Sequence, residues 1–296
     1  MAKKYELIRN SVMVNNRTLY QIKALKDFGS VKKGDLGGFI ESENNLNHDG
    51  NCWVYVKAQV YGDAYVSGDV LVSGNARVYG KARVYGKAQV FGGAHVSGNA
   101  RVSGKALVCE SARVFRNARV FENARVYGDA QVFEDTRVFG NVRVYGNVQV
   151  FGNAQVYGNA EVSGDVEVSG NAHVYGDALV SGNAQVSENA KVYGNVYVYE
   201  NAKVSGNAQV YGDARVFGNA RVSENTWVYG NTHIFENAHV YGNAHLGNVP
   251  IDFNCDFNPY KALKEILNCP EIFPVLSGLN ENLDKLISTI LIKTGT

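Results

Sequence analysis

The sequence predicts an all-β chain wound as a parallel β-helix with three flat sides. Three observations carry this. From Cys52 onward one six-residue unit recurs, as "ARVYGN", "AQVYGD", "ARVFGN" or "AHVSGN". An aliphatic residue, almost always valine, falls on every sixth position from Val54 to Leu246, in thirty-three consecutive units without insertion or deletion. The residue two places earlier is small, most often alanine. Side chains alternate along a strand, so Ala76 and Val78 face a core while Arg77 and Tyr79 face outward. A two-residue corner follows, and the pattern begins again. Short ungapped repeats of this kind are the mark of a solenoid. Three units close one triangular coil of eighteen residues, giving about eleven coils. Stacked at about 4.8 Å per coil, they make a rod roughly 50 Å long.

Three segments follow from the repeat. Residues 1–51 precede it and read as a cap, because an open β-helix end must be hidden from edge-to-edge growth. Within them "SVMVNNRTLYQIKAL" alternates apolar and polar residues around Asn15-Asn16, a β-hairpin signal. "GDLGGFIESENNL" then reads as a first, irregular coil. Residues 52–248 are the β-helix. Residues 249–296 lose the period and hold all four prolines of the chain. There "NPYKALKEILN" and "LNENLDKLISTILIK" space apolar residues three and four apart, as amphipathic helices do. A helical C-terminal cap is expected, or an oligomerisation tail using the broad apolar face of Leu283, Leu286, Ile287, Ile290 and Leu291.

The corners have their own grammar. From Asn117 to Asn243 the second corner position is Asn or Asp in every unit. The first is usually Gly, with Glu110, Arg116, Glu122, Glu134, Glu188, Glu200, Glu224 and Glu236 as exceptions. Asn and Asp tolerate left-handed backbone better than other side chains. The strained φ is therefore expected at many Asn/Asp positions. Lys81, Lys87 and Lys105 break that rule, and the backbone alone offers no reason.

Two resemblances add to this. The small-residue spacing resembles the left-handed hexapeptide β-helix, which implies a left-handed coil. The stretch "ALKDFGSVKKGDLGGFIESENNLNHDGNCWVY", with Asp27-Phe28, Gly34, Gly37-Gly38 and "GNCWVY" at Gly50 to Tyr55, is similar to the start of bacterial hexapeptide-repeat proteins of the YdcK type. That group is labelled transferases and brings no established catalytic residues. The resemblance implies a single-chain left-handed parallel β-helix.

Composition narrows the function less. The formal net charge is +1 and singles out no partner. Four cysteines show neither CxxC nor metal-ligand spacing, so no metal or other cofactor is expected. The start "MAKKYELIRN" lacks the apolar core of a signal peptide, and no apolar run is long enough to span a bilayer, so a cytoplasmic protein is the default. Charge along the rod is uneven: residues 76–126 carry ten Lys/Arg against two Glu, residues 127–250 six Lys/Arg against twelve Asp/Glu.

Folding the sequence at eighteen residues per coil aligns Arg83, Arg101, Arg119 and Arg137 on one face. Beside them run Tyr85, Phe121, Phe139, Tyr157 and Tyr175, continued by Tyr193, Tyr211 and Tyr229. Lys81, Lys87, Lys105 and Arg116 fall at the bordering corners. A basic, aromatic face of this kind suits an acidic protein or a nucleic acid, with guanidinium groups on phosphates and rings on bases. A homo-oligomer through the aromatic strip or the C-terminal tail is a further arrangement. The histidines His95, His173, His233, His239 and His245 all occupy outward positions, and the last three fall on three different faces. No carboxylate pair, nucleophile–base set or phosphate loop is recognisable, and no catalytic residue is assigned. A non-enzymatic binding or scaffold protein is the leading expectation. The alternative is a trimeric hexapeptide-repeat acyltransferase using acyl-CoA, with His173 or His239 at a pocket between protomers, as the resemblance implies.

Overall fold

In the computed structural model the described residues are 3–248, together with the backbone of two strands at Pro250–Asp252 and Asp256–Phe257. Over the described residues the chain is a parallel β-solenoid of about twelve turns. Most units contribute a strand of only two residues, an outward residue followed by the core valine, as in Arg101–Val102. Each strand pairs in parallel with the strand eighteen residues on, so that Arg101 faces Arg119 and Val102 faces Val120. Three sheets result, with eleven, twelve and fifteen strands.

The core is built from the two inward positions. Valines such as Val102, Val120 and Val138, and alanines such as Ala100, Ala118 and Ala124, are completely buried. Three sides converge on a narrow axis, and the alanine that stands beside most of the valines keeps the combined volume small enough to fit it. Of the threonines that replace alanine, Thr136 and Thr232 donate their hydroxyls to the Phe133 and Tyr229 carbonyls, each at 2.6 Å, whereas Thr226 Oγ1 is buried without a hydrogen-bond partner among the described residues. Backbone bonds tie every coil to the next along the sides and at the corners. Arg101 N–H donates to Ala118 O at 2.9 Å, Ser103 N–H to Val120 O at 2.9 Å and Lys105 N–H to Glu122 O at 2.6 Å.

The corners correct one expectation. From Gly62 to Gly242 the positive φ sits on the first corner residue, the Gly/Glu position, and not on the Asn/Asp that follows. The non-glycine residues there, Glu110, Arg116 and Glu122 among them, hold φ near 60°, whereas Gly140 opens to 89°. The Asn/Asp position does different work. Its side chains run up the corners as amide ladders: Asn123 Nδ2 donates to Asn141 Oδ1 at 3.0 Å, Asn141 to Asn159 at 2.9 Å and Asn159 to Asp177 at 2.9 Å. Because no special backbone is required there, Lys81, Lys87 and Lys105 fit without strain. They simply forgo the ladder.

Three of the corner glutamates also tie one coil to the next through their side chains. Glu110, Glu134 and Glu200 each accept the backbone N–H of the glycine one coil on, at 2.8, 2.8 and 2.7 Å. Arg116 and Glu134, two large corner residues stacked on adjacent coils, carry opposite charges and pair at 2.6 Å.

At the N-terminal end β1 (Tyr5–Val14) and β2 (Arg17–Ala24) form an antiparallel hairpin, turning at Asn15 and Asn16 with φ of 48° and 61°. Two successive positive values are what a two-residue hairpin turn demands. β3 (Leu36–Ile40) pairs antiparallel with β2 and parallel with Gln59–Val60, converting hairpin into solenoid. That conversion brings backbones together at Gly37 and Gly38. A Cβ on Gly37 would stand 2.6 Å from Val54 O, and one on Gly38 2.4 Å from Tyr55 O. Below the hairpin, Lys4 is fully buried, its Nζ donating to Cys52 O at 3.0 Å and lying 3.2 Å from Cys52 Sγ. Burial holds the Lys4 ammonium below its ordinary pKa and pushes the Cys52 thiol up.

At the other end, Pro250–Asp252 and Asp256–Phe257 continue the parallel pairing, against His233–Phe235 and His239–Val240. The helices expected at 258–268 and 279–293 lie outside the described residues.

Gly140→Ala is expected to lower stability by about 1–3 kcal/mol, the usual cost of a non-glycine residue in this region. Its Cβ would also stand 2.5 Å from Gly158 O. Glu122→Gly, one coil earlier in the same corner column, is expected to stay within about 1 kcal/mol. Equal losses in urea titrations of the two variants would refute the corner assignment.

Candidate functional site

The arginine column forms as the eighteen-residue fold requires. Arg83, Arg101, Arg119 and Arg137 pair successively in register on one sheet, and all four side chains are exposed. Neighbouring guanidinium groups are therefore held about one coil spacing, ~4.8 Å, apart at their backbones. Like charges in adjacent strands repel. Among the described residues none of the four has a carboxylate partner within ion-pair distance, although Arg116 and Arg143 elsewhere do. The face is thus a row of positive charge without ion-pair partners on a rigid support.

Corner columns flank it. On one side run Lys81, Asn99, Asn117 and Asp135, eighteen residues apart; on the other, beyond the ring column, run Lys87, Lys105 and Asn123. Lys81, Lys87 and Lys105 are exposed. Between the first corner column and the arginines lies a cleft of about 200 Å³, lined by Asn99, Arg101, Asn117, Arg119, Asp135 and Arg137. Within it Asn99 donates to Asn117 and Asn117 to Asp135, each at 3.0 Å. The amide lining was missed in the sequence. The signal for it was present, since the column headed by Lys81 follows from the same eighteen-residue fold.

The aromatic column is a continuous stack. Centroids of Phe121, Phe139, Tyr157, Tyr175, Tyr193, Tyr211 and Tyr229 follow one another at 4.8, 5.0, 4.7, 4.8, 5.1 and 5.4 Å, with their planes nearly parallel throughout. Each ring is half-buried by its neighbours. Burial pushes the phenols of Tyr157, Tyr175, Tyr193 and Tyr211 above their ordinary pKa. Since both faces of Phe139, Tyr157 and Tyr175 are covered, this stretch offers solvent its ring edges. Tyr85 differs: its neighbours in the column are serines and its side chain is 42% exposed. Shorter stacks stand on the other faces, Phe115–Phe133–Phe151 and Tyr199–Phe217–Phe235.

The histidines are scattered. His95 lies between Arg77 and Arg113 in register, its ring edge-on to Tyr79 at 6.2 Å. Burial first, then those two guanidinium groups, hold its pKa below the ordinary value. His173 stands edge-on to Tyr157 at 6.3 Å, with its pKa lowered by burial and then by Lys191. His245 stacks on Trp227 at 4.7 Å. His233, His239 and His245 fall on three separate sheets. Among the described residues no group of three or more His, Cys, Asp or Glu is placed to hold a metal ion. No helix among them is long and apolar enough to cross a membrane.

A larger cleft of about 420 Å³ lies where the hairpin meets the first coils, lined by Arg17, Glu41, Asn45, Asp63 and Tyr65 among others. Two of its three charged groups, Arg17 and Glu41, are already engaged. Arg17 pairs with Glu41 at 2.8 Å, and Glu41 accepts the Gly62 N–H at 2.6 Å. Nothing in the hexapeptide period foreshadows this junction.

Comparison with known proteins agrees with the architecture. The family model described as YdcK Beta solenoid repeat matches residues 58–74, 72–86, 94–110, 172–188, 208–224 and 214–230. The protein of Escherichia coli (strain K12) named Uncharacterized acetyltransferase YdcK is 48% identical over 40 residues. That match covers 14% of this chain and 12% of the E. coli protein's length. The matched segments are similar to the YdcK beta-solenoid repeat.

The lowered histidines give a pH test. A histidine whose folded pKa lies below its unfolded value leaves stability intact above pH ~6.5 and costs stability as the pH falls through the folded value. His95→Gln combined with His173→Gln is expected to flatten the stability loss between about pH 7 and 5. An unchanged slope in urea titrations across that range would overturn it.

Proposed function

We propose that this chain, a rod with repeats similar to the YdcK beta-solenoid repeat, is a binding protein whose arginine face engages an anionic macromolecule. The observation that carries the proposal is the column Arg83, Arg101, Arg119 and Arg137, in register, exposed and without carboxylate partners among the described residues. Holding like charges in adjacent strands is unfavourable in isolation. An anionic ligand lying along the column reverses the sign of that term. The sheet beneath is cross-linked at every strand, so the backbones that carry the arginines are positioned before the partner arrives and only side-chain freedom remains to be lost. The flanking Lys81, Lys87 and Lys105 widen the positive field and draw a polyanion from a distance, within the reach that salt screening allows.

A second reading, acetyl transfer, is favoured by the name of the E. coli relative. Its chemistry would need a base to take a proton from an acceptor group. His173, half-buried and with a lowered pKa, is neutral at pH 7 and suited to that role. The site would be completed at a contact between protomers, with acyl-CoA as donor substrate.

The two separate in one set of measurements. Arg101→Glu combined with Arg119→Glu is expected to keep the far-ultraviolet circular dichroism of the native rod and to weaken capture of its partner from lysate by at least about ten-fold. Retention should also depend less steeply on salt. Capture unaltered by the charge reversal removes the arginine face as the binding surface. Thiol release from acetyl-CoA, abolished by His173→Gln and indifferent to the charge reversal, decides for the transferase.

A further inference from the structure

The ring column beside the arginines contains a vacancy. Read upward at eighteen-residue steps it runs Ser67, Tyr85, Ser103, Phe121 and then unbroken aromatics to Tyr229. Ser103 is held like the ring-bearing residues around it. Its N–H donates to Val120 O at 2.9 Å, as Tyr85 N–H donates to Val102 O at 3.0 Å and Phe121 N–H to Val138 O at 3.0 Å. An aromatic side chain at 103 would thus continue the stack. Serine leaves the place of one ring open, with Tyr85 on one side and Phe121 on the other.

The same coil lacks rings at its other two corners, at Ser97 and Cys109. Those two places differ. His95, two residues before Ser97, turns its ring edge to Tyr79, and Cys109 is itself buried. At Ser103 the residue in the position of His95 is Arg101, which is exposed, and Tyr85 remains 42% exposed. The vacancy is also bounded by cations on both sides. Arg101 and Arg119 lie two residues before Ser103 and Phe121, a distance of about 6.6 Å along a strand. Lys87 and Lys105 lie two residues after Tyr85 and Ser103.

We propose that this vacancy is a nucleobase site. One base of a single-stranded nucleic acid inserts between Tyr85 and Phe121 in the place of the missing ring, and the phosphates on either side of it lie on Arg101 and Arg119. The proposal rests on the anionic-partner reading above and names the partner. A nucleotide combines a planar ring with an anion one short linker away, which matches a ring slot beside a guanidinium pair. An acidic protein surface supplies the anions without the ring. A strand is favoured over a free nucleotide because the arginine column runs from Arg83 to Arg137, four coils, beyond the reach of a single nucleotide.

The test is an anisotropy titration of a labelled oligothymidylate and of an abasic strand of the same length. The native protein is expected to hold the thymidylate roughly five- to hundred-fold more tightly, the range of one base–aromatic stack. Ser103→Phe fills the slot with the protein's own ring and is expected to remove that factor, leaving abasic binding and its salt dependence unchanged. Tyr85→Ser removes one wall and should have the same effect, which covers the case in which Ser103→Phe fails to fold. Equal affinity of the native protein for both strands overturns the base site while leaving the arginine face standing. Binding of neither strand also overturns it, and the anion face is then judged by the capture experiment alone. Adenosine monophosphate binding as tightly as the oligonucleotide overturns the assignment to a strand.

Discussion

Everything in this protein depends on the backbone ladder between residues eighteen apart. A two-residue strand has almost no cohesion by itself. Here each is bonded above and below to copies of itself, and the corner N–H groups join the same ladder, as Lys105 does with Glu122. The side chains inherit this order. Valine lies over valine and alanine beside it, so the core is a column of identical small contacts in place of a jigsaw of different ones. Outside, the same translation turns any residue choice into a row: amides into a hydrogen-bonded ladder, rings into a stack, arginines into a line of charge.

Rows of like residues differ in what they do to the fold. Asparagine is both donor and acceptor, so a column of asparagines satisfies itself, as Asn153, Asn171 and Asn189 do. Aromatic rings gain by stacking. Arginine alone gains nothing from a copy of itself. The chain uses oppositely charged neighbours where a crowded corner needs them, at Arg116 and Glu134, and leaves the Arg83–Arg137 column without such compensation. The contrast between these two arrangements, a few residues apart, is what makes the column informative about function.

The period of six made most of the fold legible. The Val54–Leu246 series specified three sheets and a core of valine and alanine, and the eighteen-residue fold aligned the arginine and ring columns. What escaped was local. The left-handed φ was expected on Asn and Asp from their general tolerance, but the corner geometry places it one residue earlier, on Gly80, Glu110 and their equivalents. Side-chain tolerance ranks residues for such a position without saying which of two adjacent positions needs it. The junction of hairpin and solenoid was also hidden, because Lys4, Gly37 and Gly38 matter there through contacts made once, and periodicity describes only what recurs. The rings were visible as a row. That their faces cover one another, so that Tyr85 is the exposed exception, required distances.

The unbroken spacing also has an evolutionary and engineering aspect. Gain or loss of eighteen residues would lengthen or shorten the rod by one coil, about 4.8 Å, and return every downstream column to the face it left. Gain or loss of six would preserve the core equally well, because valine would still replace valine. It would nonetheless rotate every later column by one side of the triangle. An arginine row broken by such an event would continue around the corner, and the cleft beside it would be divided between two faces. The core is indifferent to that frame while the surface depends on it, so the faces record a constraint on length that stability alone does not impose.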